Sequence, residues 1–425
     1  MNKRYFVSLL TGVMFLSANA QVSSTLSPYS QYGLGVLADQ SQGFNRGMGG
    51  VAYGLRSGNI VNMKNPASYS AVDSLTMLFD AGVTGQITNY KEGGKSLNSQ
   101  TGNFDYAVAS FRVLPKVGVA LGVVPFSNIG YSFSHTEKLN TTSATTTYSG
   151  DGGFSQAFFG AGWEFAKGFS VGANISYFWG KYSKIIPVVS SESNSSTITR
   201  SYSATVSSYK LDLGAQWQQM VSKKDLLTIG VTAGIGHQLH GDADLQIINT
   251  SSSSTSSIGK EFSVTDAFKL PHTLGVGASL MHNNSLTIAA DYTFQKWGDI
   301  DYPVFDNTNY VLKSGIYQDR HQIAAGVDWE PNPMGRKFLQ LVHYRMGVSY
   351  ATPYYKIGTQ DGPSEMTVSA GFGIPIYNSW NNRSMLNISA QWVRNDASSF
   401  VKENTFRINI GLTFNERWFA KWKVD

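Results

Sequence analysis

The segment TFRINIGLTF (405–414) alternates apolar with polar or small residues at a period of two. Successive side chains of a β-strand point to opposite faces, so this segment predicts a two-sided strand. Its apolar face comprises Phe406, Ile408, Ile410, Leu412 and Phe414, and its polar face comprises Arg407, Asn409, Gly411 and Thr413. The same alternation recurs in SLTIAADYTF (285–294), MTVSAGFGI (366–374), LNISAQW (386–392), LLTIGVTAGI (226–235), YKLDLGAQW (209–217), FSVGANISYFW (169–179) and HTLGVGASL (272–280).

Extending this pattern along the chain predicts an even number of strands, fourteen in all. Their approximate bounds are 75–90, 104–113, 116–127, 154–165, 168–183, 200–219, 225–240, 271–281, 285–297, 320–330, 340–351, 364–374, 384–395 and 403–414. The connections between them sort by length. The longer ones, at one end of the sheet, are 91–103, 128–153, 184–199, 241–270, 298–319 and 352–363. At the other end Leu114-Pro115, Ala166-Lys167, 220–224 and 282–284 are tight, and 331–339 and 375–383 are moderate. The short connection 396–402 at the end of the longer loops is the one weak case.

This asymmetry of loop lengths is typical of outer-membrane barrels, which have short periplasmic turns and longer outside loops. The sequence therefore predicts an all-β fold, a 14-stranded antiparallel transmembrane β-barrel with apolar side chains facing lipid. A secreted, soluble β-protein is the alternative. Aromatic residues near strand ends are consistent with interfacial girdles: Tyr177, Phe178, Trp179, Trp217, Trp297, Trp329, Trp392 and Phe414.

Composition agrees with an exported protein. Lys3 and Arg4, an apolar stretch at 6–16 and small residues up to Ala20 predict a signal peptide over 1–20, cleaved after Ala20. The chain has no cysteine, which excludes disulfides, thiolate metal sites and a cysteine nucleophile. Charged residues make up only 14%, and the net charge of +5 falls to +3 without Lys3 and Arg4, too little to indicate nucleic-acid binding.

The glycine-rich stretch RGMGGVAYGLRSGNIVNMKNPASYS (46–70) precedes the first strand and follows neither a helical nor a strand period. Irregular backbone is tolerated at membrane depth only inside protein or a wet cavity, and a fourteen-stranded barrel is wide enough to enclose it. Residues 21–74 are therefore predicted to form a hatch that plugs the lumen. Met48, Val51 and Leu55 are its expected apolar contacts.

These residues resemble the N-terminal hatch of FadL-type outer-membrane transporters for fatty acids and other hydrophobic compounds. The chain resembles a Bacteroidota-like member of that family. The resemblance rests on a glycine-rich run followed by an Asn-Pro-Ala, here Gly47, Gly49, Gly50 and Ala52, then Asn65, Pro66 and Ala67. It implies fourteen strands, no cofactor and an interrupted third strand that opens the wall sideways. Pro125 cannot donate a ladder hydrogen bond, so Pro125 and Phe126 are the candidates for that lateral opening.

Several charged residues on predicted strands point into the lumen by alternation. They are Arg345, Arg407, Lys210, Asp212, Asp291, Asp328, Asp80 and Glu164. They are expected either to hold the hatch or, at Arg345 and Arg407, to bind a ligand carboxylate. The seven scattered histidines predict no metal site and no catalytic base. The GMGGVA run (47–52) lies outside any βαβ unit, which argues against dinucleotide binding.

Two functions follow as hypotheses. The first is passive uptake of hydrophobic, fatty-acid-like molecules through an apolar groove beside the hatch and the lateral opening. The second is a non-transporting subunit of an outer-membrane secretion or barrel-assembly complex, a role that some Bacteroidota relatives of this type serve. The barrel would span 75–414, and an aromatic-basic tail at 415–425 or the outer loops would contact envelope partners or the membrane interface. A diffusion porin and an outer-membrane hydrolase are weaker alternatives.

Overall fold

The computed structural model describes residues 25–139, 142–192, 195–251, 257–377, 383–398 and 400–417. The predicted signal peptide at 1–20 and residues 418–425 of the predicted tail lie outside these described residues. No helix among the described residues is long and apolar enough to cross a membrane.

The chain forms a closed antiparallel β-barrel of fourteen strands, which confirms the predicted number and order. Strand β1 (Val36–Leu37) lies in the N-terminal segment. The wall consists of β2 (Thr76–Glu92), β3 (Lys95–Leu114), β4 (Val117–Leu139), β5 (Thr142–Ala166), β6 (Phe169–Ser190), β7 (Ser196–Met220), β8 (Asp225–Ile235), β11 (His272–His282), β12 (Leu286–Lys296), β15 (Arg320–Trp329), β16 (His343–Ala351), β19 (Ser364–Tyr377), β20 (Arg383–Asp396) and β21 (Lys402–Arg417). Closure comes from β2, which pairs with β3 on one side and β21 on the other.

The connections at the outer end contain more strand than the sequence pattern predicts. Three hairpins lie there: β9 (Gly241–Ser251) with β10 (Ser257–Val264), β13 (Tyr302–Phe305) with β14 (Tyr310–Lys313), and β17 (Lys356–Ile357) with β18 (Gln360–Asp361). The predicted long loops 91–103, 128–153 and 184–199 are mostly extensions of wall strands, and β2 and β3 join through Gly93 and Gly94 at φ 53° and 79°. The alternation in these extensions is weaker than in the membrane-spanning parts, because Ser and Thr occupy many of their positions.

The lipid-facing surface follows the predicted alternation. Phe406, Ile408 and Ile410 are 45–49% exposed, whereas Thr405 and Asn409 on the opposite face of the strand are buried. The girdle prediction is wrong for two residues, because Phe178 and Trp297 are fully buried in an internal cluster. The physical reason for Phe178 is strand alternation, because Tyr177 beside it points outward and is 56% exposed.

The N-terminal segment 25–73 lies against the inner face of the wall and crosses the barrel from the outer end toward the periplasmic end. Its elements are a 3₁₀ helix (Pro28–Gln31), β1, helix α1 (Gly43–Arg46) and a second 3₁₀ helix (Pro66–Ala71). At the outer end, the Tyr29 hydroxyl donates to the carbonyl of Val401. Near the periplasmic turns, the carbonyl of Tyr69 packs on Gly118 of β4. Helix α2 (Phe338–Leu341) lies in the periplasmic connection between β15 and β16.

Candidate functional site

The glycine-rich run of the N-terminal segment packs on the wall through its backbone. Gly49 and Gly50 adopt positive φ values of 70° and 82°, a conformation that side-chain-bearing residues rarely adopt. The Ser369 hydroxyl accepts from the amide of Gly49 (2.9 Å) and lies 3.1 Å from the carbonyl of Gly47. The amide of Ala52 donates to Asp291 at 2.6 Å. Glycine is needed here for backbone conformation and close approach.

The predicted apolar contacts of this segment lie together. Met48, Val51 and Leu55 are buried with Phe44 and pack on Ala289 and Ala324, two small residues on the inner face of β12 and β15. Small wall residues leave room for the larger apolar side chains of the segment.

The Asn-Pro-Ala sequence fixes a corner of the segment. The Asn65 Oδ1 accepts from the amide of Ala67 (3.2 Å) and caps the 3₁₀ helix that Pro66 begins. The Asn65 Nδ2 donates to the carbonyls of Tyr53 (2.9 Å) and Ala215 (3.3 Å). One fully buried side chain thus joins two parts of the segment to strand β7.

Glycines on the inner face of the wall receive the segment's backbone. A Cβ at Gly230 would overlap the carbonyl of Tyr53, and a Cβ at Gly172 would overlap Pro66. The same holds for Gly326 and Gly347, which face Met48. The sequence signal was present, since glycines recur at inward positions of many predicted strands, but alternation alone does not show what they contact.

Arg46 forms a buried ionic contact between the segment and the wall, and the sequence pattern did not indicate it. Its side chain is 5% exposed, and its Nη1 lies 2.7 Å from the Asp105 carboxylate, itself 10% exposed. The same guanidinium donates to Thr84 (2.7 Å) and to Asn409 (3.0 Å). A basic residue inside an irregular glycine-rich stretch carries no periodic signal, which explains why it was missed.

Asp39 belongs to the same charged environment. Burial raises the pKa of its carboxyl, but the positive charges of Arg46 and Lys64 and hydrogen bonds from Ser41 outweigh burial and lower the pKa to about 2. Asp39 therefore stays ionised across the physiological pH range.

Six of the predicted luminal charges divide into two groups. Asp328 binds Arg345 (Nε to Oδ1, 2.9 Å) and His343, and the nearly buried Arg345 also packs against Gly47. Asp291 accepts hydrogen bonds from the segment's backbone amides. Asp328, Arg345 and Asp291 therefore stabilise the wall and its contacts with the segment. Lys210 pairs with Asp212, and Arg407 donates from Nε to Gln86 (2.9 Å); these three residues line a cavity.

We expect Asp291→Asn to destabilise the segment's seating by about 1–3 kcal/mol, because the carboxylate Oδ2 accepts from two backbone amides, those of Ala52 (2.6 Å) and Tyr53 (3.0 Å). Limited proteolysis of the folded barrel between residues 25 and 73 measures this as faster cleavage. Asp244→Asn, on the exposed outer hairpin, is the matched control and should leave the rate unchanged. Equal rates for both variants would contradict the role of Asp291.

A cavity of about 190 Å³ lies between the segment and the wall. It does not provide the apolar groove that the uptake hypothesis expects, because its lining combines Leu37, Phe126 and Phe158 with the charged residues Asp39, Lys64, Lys210, Asp212, Arg320, Glu365 and Arg407. Strand alternation explains this polarity, since inward positions carry the polar residues. In the part of the chain that the structure describes, no group of three or more His, Asp or Glu side chains could hold a metal ion.

A buried, aromatic-rich cluster lies at the outer end of the lumen. It joins the N-terminal segment, the wall and the outer connections, with Tyr29, Leu34, Phe126, Phe154, Phe178, Leu239, Phe268, Trp297, Tyr317, Tyr354 and Tyr355 among its buried members. Hydrogen bonds reinforce it: the Tyr355 hydroxyl donates to the carbonyl of Tyr29 (3.2 Å), and that of Tyr354 donates to the carbonyl of Gly35. We call these residues the outer cap.

The wall is interrupted between β3 and β4. The two strands pair only over Ala107–Leu114 and Val117–Val123. The register of β4 with β5 then shifts between Pro125 and Ser127, at the residues predicted for the lateral opening. Beyond this point β4 pairs with β1 of the N-terminal segment instead, through Val36–Asn128 and Leu37–Ser127.

Fold and site together define a fourteen-stranded outer-membrane β-barrel whose N-terminal segment is seated in the lumen. Its fold is that of FadL-type transporters. It is similar to the toluene transporter TodX of Pseudomonas putida (16% identity, 90% of this chain and 100% of that chain, TM-score 0.62). It is also similar to the Ralstonia pickettii toluene transporter TbuX (15% identity, 88% of this chain and 97% of that chain, TM-score 0.59). A Pseudomonas aeruginosa FadL homologue is similar too (12% identity, 89% of this chain and 98% of that chain, TM-score 0.59).

The chain belongs to the BamG family, whose family model matches residues 1–425. The comparison with curated proteins found no match. At these low identities the solved transporters establish the fold alone, whereas the family match covers the whole sequence.

Proposed function

We propose that this protein is a sealed FadL-type barrel that works as a non-transporting subunit of an outer-membrane secretion or barrel-assembly complex. The observation that carries this proposal is the outer cap, which fills the entrance through which a molecule from outside would enter the lumen. Buried Tyr, Trp and Phe side chains pack together there, and the hydroxyls of Tyr29, Tyr354 and Tyr355 donate to backbone carbonyls. Opening this cluster would expose large apolar areas to water.

The polar cavity supports the same proposal. A hydrophobic molecule placed there would displace water from Lys64, Arg320, Glu365 and Arg407 without offering them hydrogen bonds. Leaving buried polar groups unsatisfied costs about 1–3 kcal/mol each, and more for charged groups. The whole chain also matches the BamG family model, whereas the transporters are similar to it in fold alone.

Native mass spectrometry of the protein extracted gently from its own membrane tests this proposal. We expect a fixed stoichiometry with other envelope proteins and no bound hydrophobic molecule. A second aliquot, taken through a harsher detergent that dissociates complexes, is the control and should give the barrel alone. A lone barrel carrying a hydrophobic small molecule after gentle extraction would contradict the proposal.

The second candidate is passive uptake of hydrophobic, fatty-acid-like molecules through a lateral opening at Pro125 and Phe126. One observation favours it: the interrupted wall lies beside the cavity, because Phe126 lines the cavity and β3 and β4 no longer pair at its level. Enrichment of a hydrophobic compound in the gently extracted protein, and its loss in Phe126→Ala, would move the assignment to uptake.

A further inference from the structure

The interruption of the wall leaves the outer part of β3, on the side that faces β4, without a partner strand among the described residues. Strand β3 pairs with β2 from Lys95 to Phe111, with one bulge at Asp105, but it pairs with β4 only from Ala107 onward. Among the described residues, no other strand and no side chain bonds to the backbone of residues 95–106. We call residues 95–106 the free edge.

The two sides of the gap differ. On β4, the carbonyl of Phe126 accepts from the amide of Ala38 (2.9 Å), and β1 pairs with Ser127 and Asn128. The chain therefore covers the exposed part of β4 nearest the interruption with its own N-terminal segment. The free edge of β3 has no such cover within the described structure.

The free edge begins at membrane depth. The β3–β4 ladder between Ala107 and Leu114 rises roughly 16 Å, at about 3.3 Å per residue and a tilt of about 45°. The apolar band of an outer-membrane barrel is about 25 Å tall. Residues 104–106 therefore lie within this band, where open sheet edges exposed to lipid do not occur because each unpaired backbone group costs several kcal/mol.

We propose that the free edge of β3 pairs with a β-strand of a partner outer-membrane protein, an inference that rests on the proposed subunit function. Only an extended polypeptide supplies donors and acceptors at the spacing of a strand edge. Lipid tails and hydrophobic small molecules supply none. The outward-facing Phe104, which is 43% exposed beside the gap, would pack against an apolar side chain on the lipid face of that strand.

Geometry favours a different protein over a second copy of this chain. Strand β3 runs from the outer end to the periplasmic end, so two copies related by an axis along the membrane normal would bring their β3 strands together in parallel. Parallel pairing is slightly less stable than antiparallel pairing. An antiparallel partner strand runs from the periplasm outward.

Hydrogen–deuterium exchange on the gently extracted complex and on the isolated full-length barrel tests this pairing. In the isolated barrel we expect rapid exchange at the edge-facing amides of residues 95–106, slowed roughly tenfold or more in the complex. Residues 286–296 of β12, paired on both sides, are the internal control and should exchange equally slowly in both samples.

Photocrosslinking identifies the occupant. A benzoylphenylalanine at position 104 is expected to crosslink to one envelope protein, whereas the same probe at Ile288, outward-facing on β12, should not. An intact complex without protection of 95–106 would overturn the pairing while leaving the subunit function standing. Crosslinks from position 104 only to lipid, or to a second copy of this chain, would overturn it equally. Absence of any complex would refute the proposed function and this inference together.

Discussion

Replacement of Gly230 by valine is expected to prevent the N-terminal segment from seating and to reduce the yield of folded barrel sharply. A Cβ at this position overlaps the carbonyl of Tyr53, a backbone atom that the Asn65 and Gln216 side chains hold with hydrogen bonds of 2.9 Å each. Overpacking of interiors usually costs about 1–3 kcal/mol, and a contact with fixed backbone lies at or above the upper end of that range.

The measurement is heat-modifiable migration of the barrel on a semi-native gel, combined with limited proteolysis of residues 25–73. Gly85→Val is the matched control, because a Cβ at Gly85 meets nothing within 4 Å. The same substitution there should leave folding and protection unchanged, and valine also suits a strand. If both valine variants folded and resisted protease equally, the backbone contact at Gly230 would not determine the seating of the segment.

Replacement of Arg46 by methionine is the second large effect that we expect, at about 3–5 kcal/mol. The variant removes the cation and leaves the Asp105 carboxylate, only 10% exposed, without its charged partner. The variant is expected to be less stable because an unpaired buried carboxylate costs more free energy than the intact ion pair contributes to stability. Urea unfolding in lipid vesicles, followed by tryptophan fluorescence, measures the loss.

A double variant separates the ion pair from general damage. Asp105→Asn combined with Arg46→Met should recover about 0.5–3 kcal/mol relative to the sum of the single variants, because no buried charge is then left uncompensated. Arg394→Met is the matched control, since Arg394 pairs at 2.6 Å with Asp396 but the two side chains are 44% and 32% exposed. Its effect should stay below about 1 kcal/mol. Strictly additive losses at positions 46 and 105 would argue against coupling between them.

The two-residue period of segments such as 405–414 was sufficient to predict the strand type, the number of strands and the lipid-facing side. Membrane strands must place apolar groups outside at every second position, so the period records which face meets lipid. The sequence also indicated the Asn65-Pro66-Ala67 corner for a local reason. The Asn65 side chain caps the 3₁₀ helix that begins at Pro66, so the signal lies within three residues.

Other features depend on which residues meet across the barrel, and no local pattern encodes that. Arg46 and Asp105 are distant in sequence and adjacent only after closure, and Gly230 matters because the backbone of Tyr53 arrives there. Phe178 is an aromatic residue of the kind found in interfacial girdles, but the strand register points its side chain inward.

The sequence by itself thus determined a barrel with an irregular N-terminal segment, because alternation and glycine content act locally. Only the tertiary structure decided that an aromatic cluster is buried at the outer end, that charged residues line the cavity and that β3 loses its β4 partner beyond Ala107 toward the outer end. These properties arise from the register between strands and from loops packing over the lumen, where contacts join segments hundreds of residues apart.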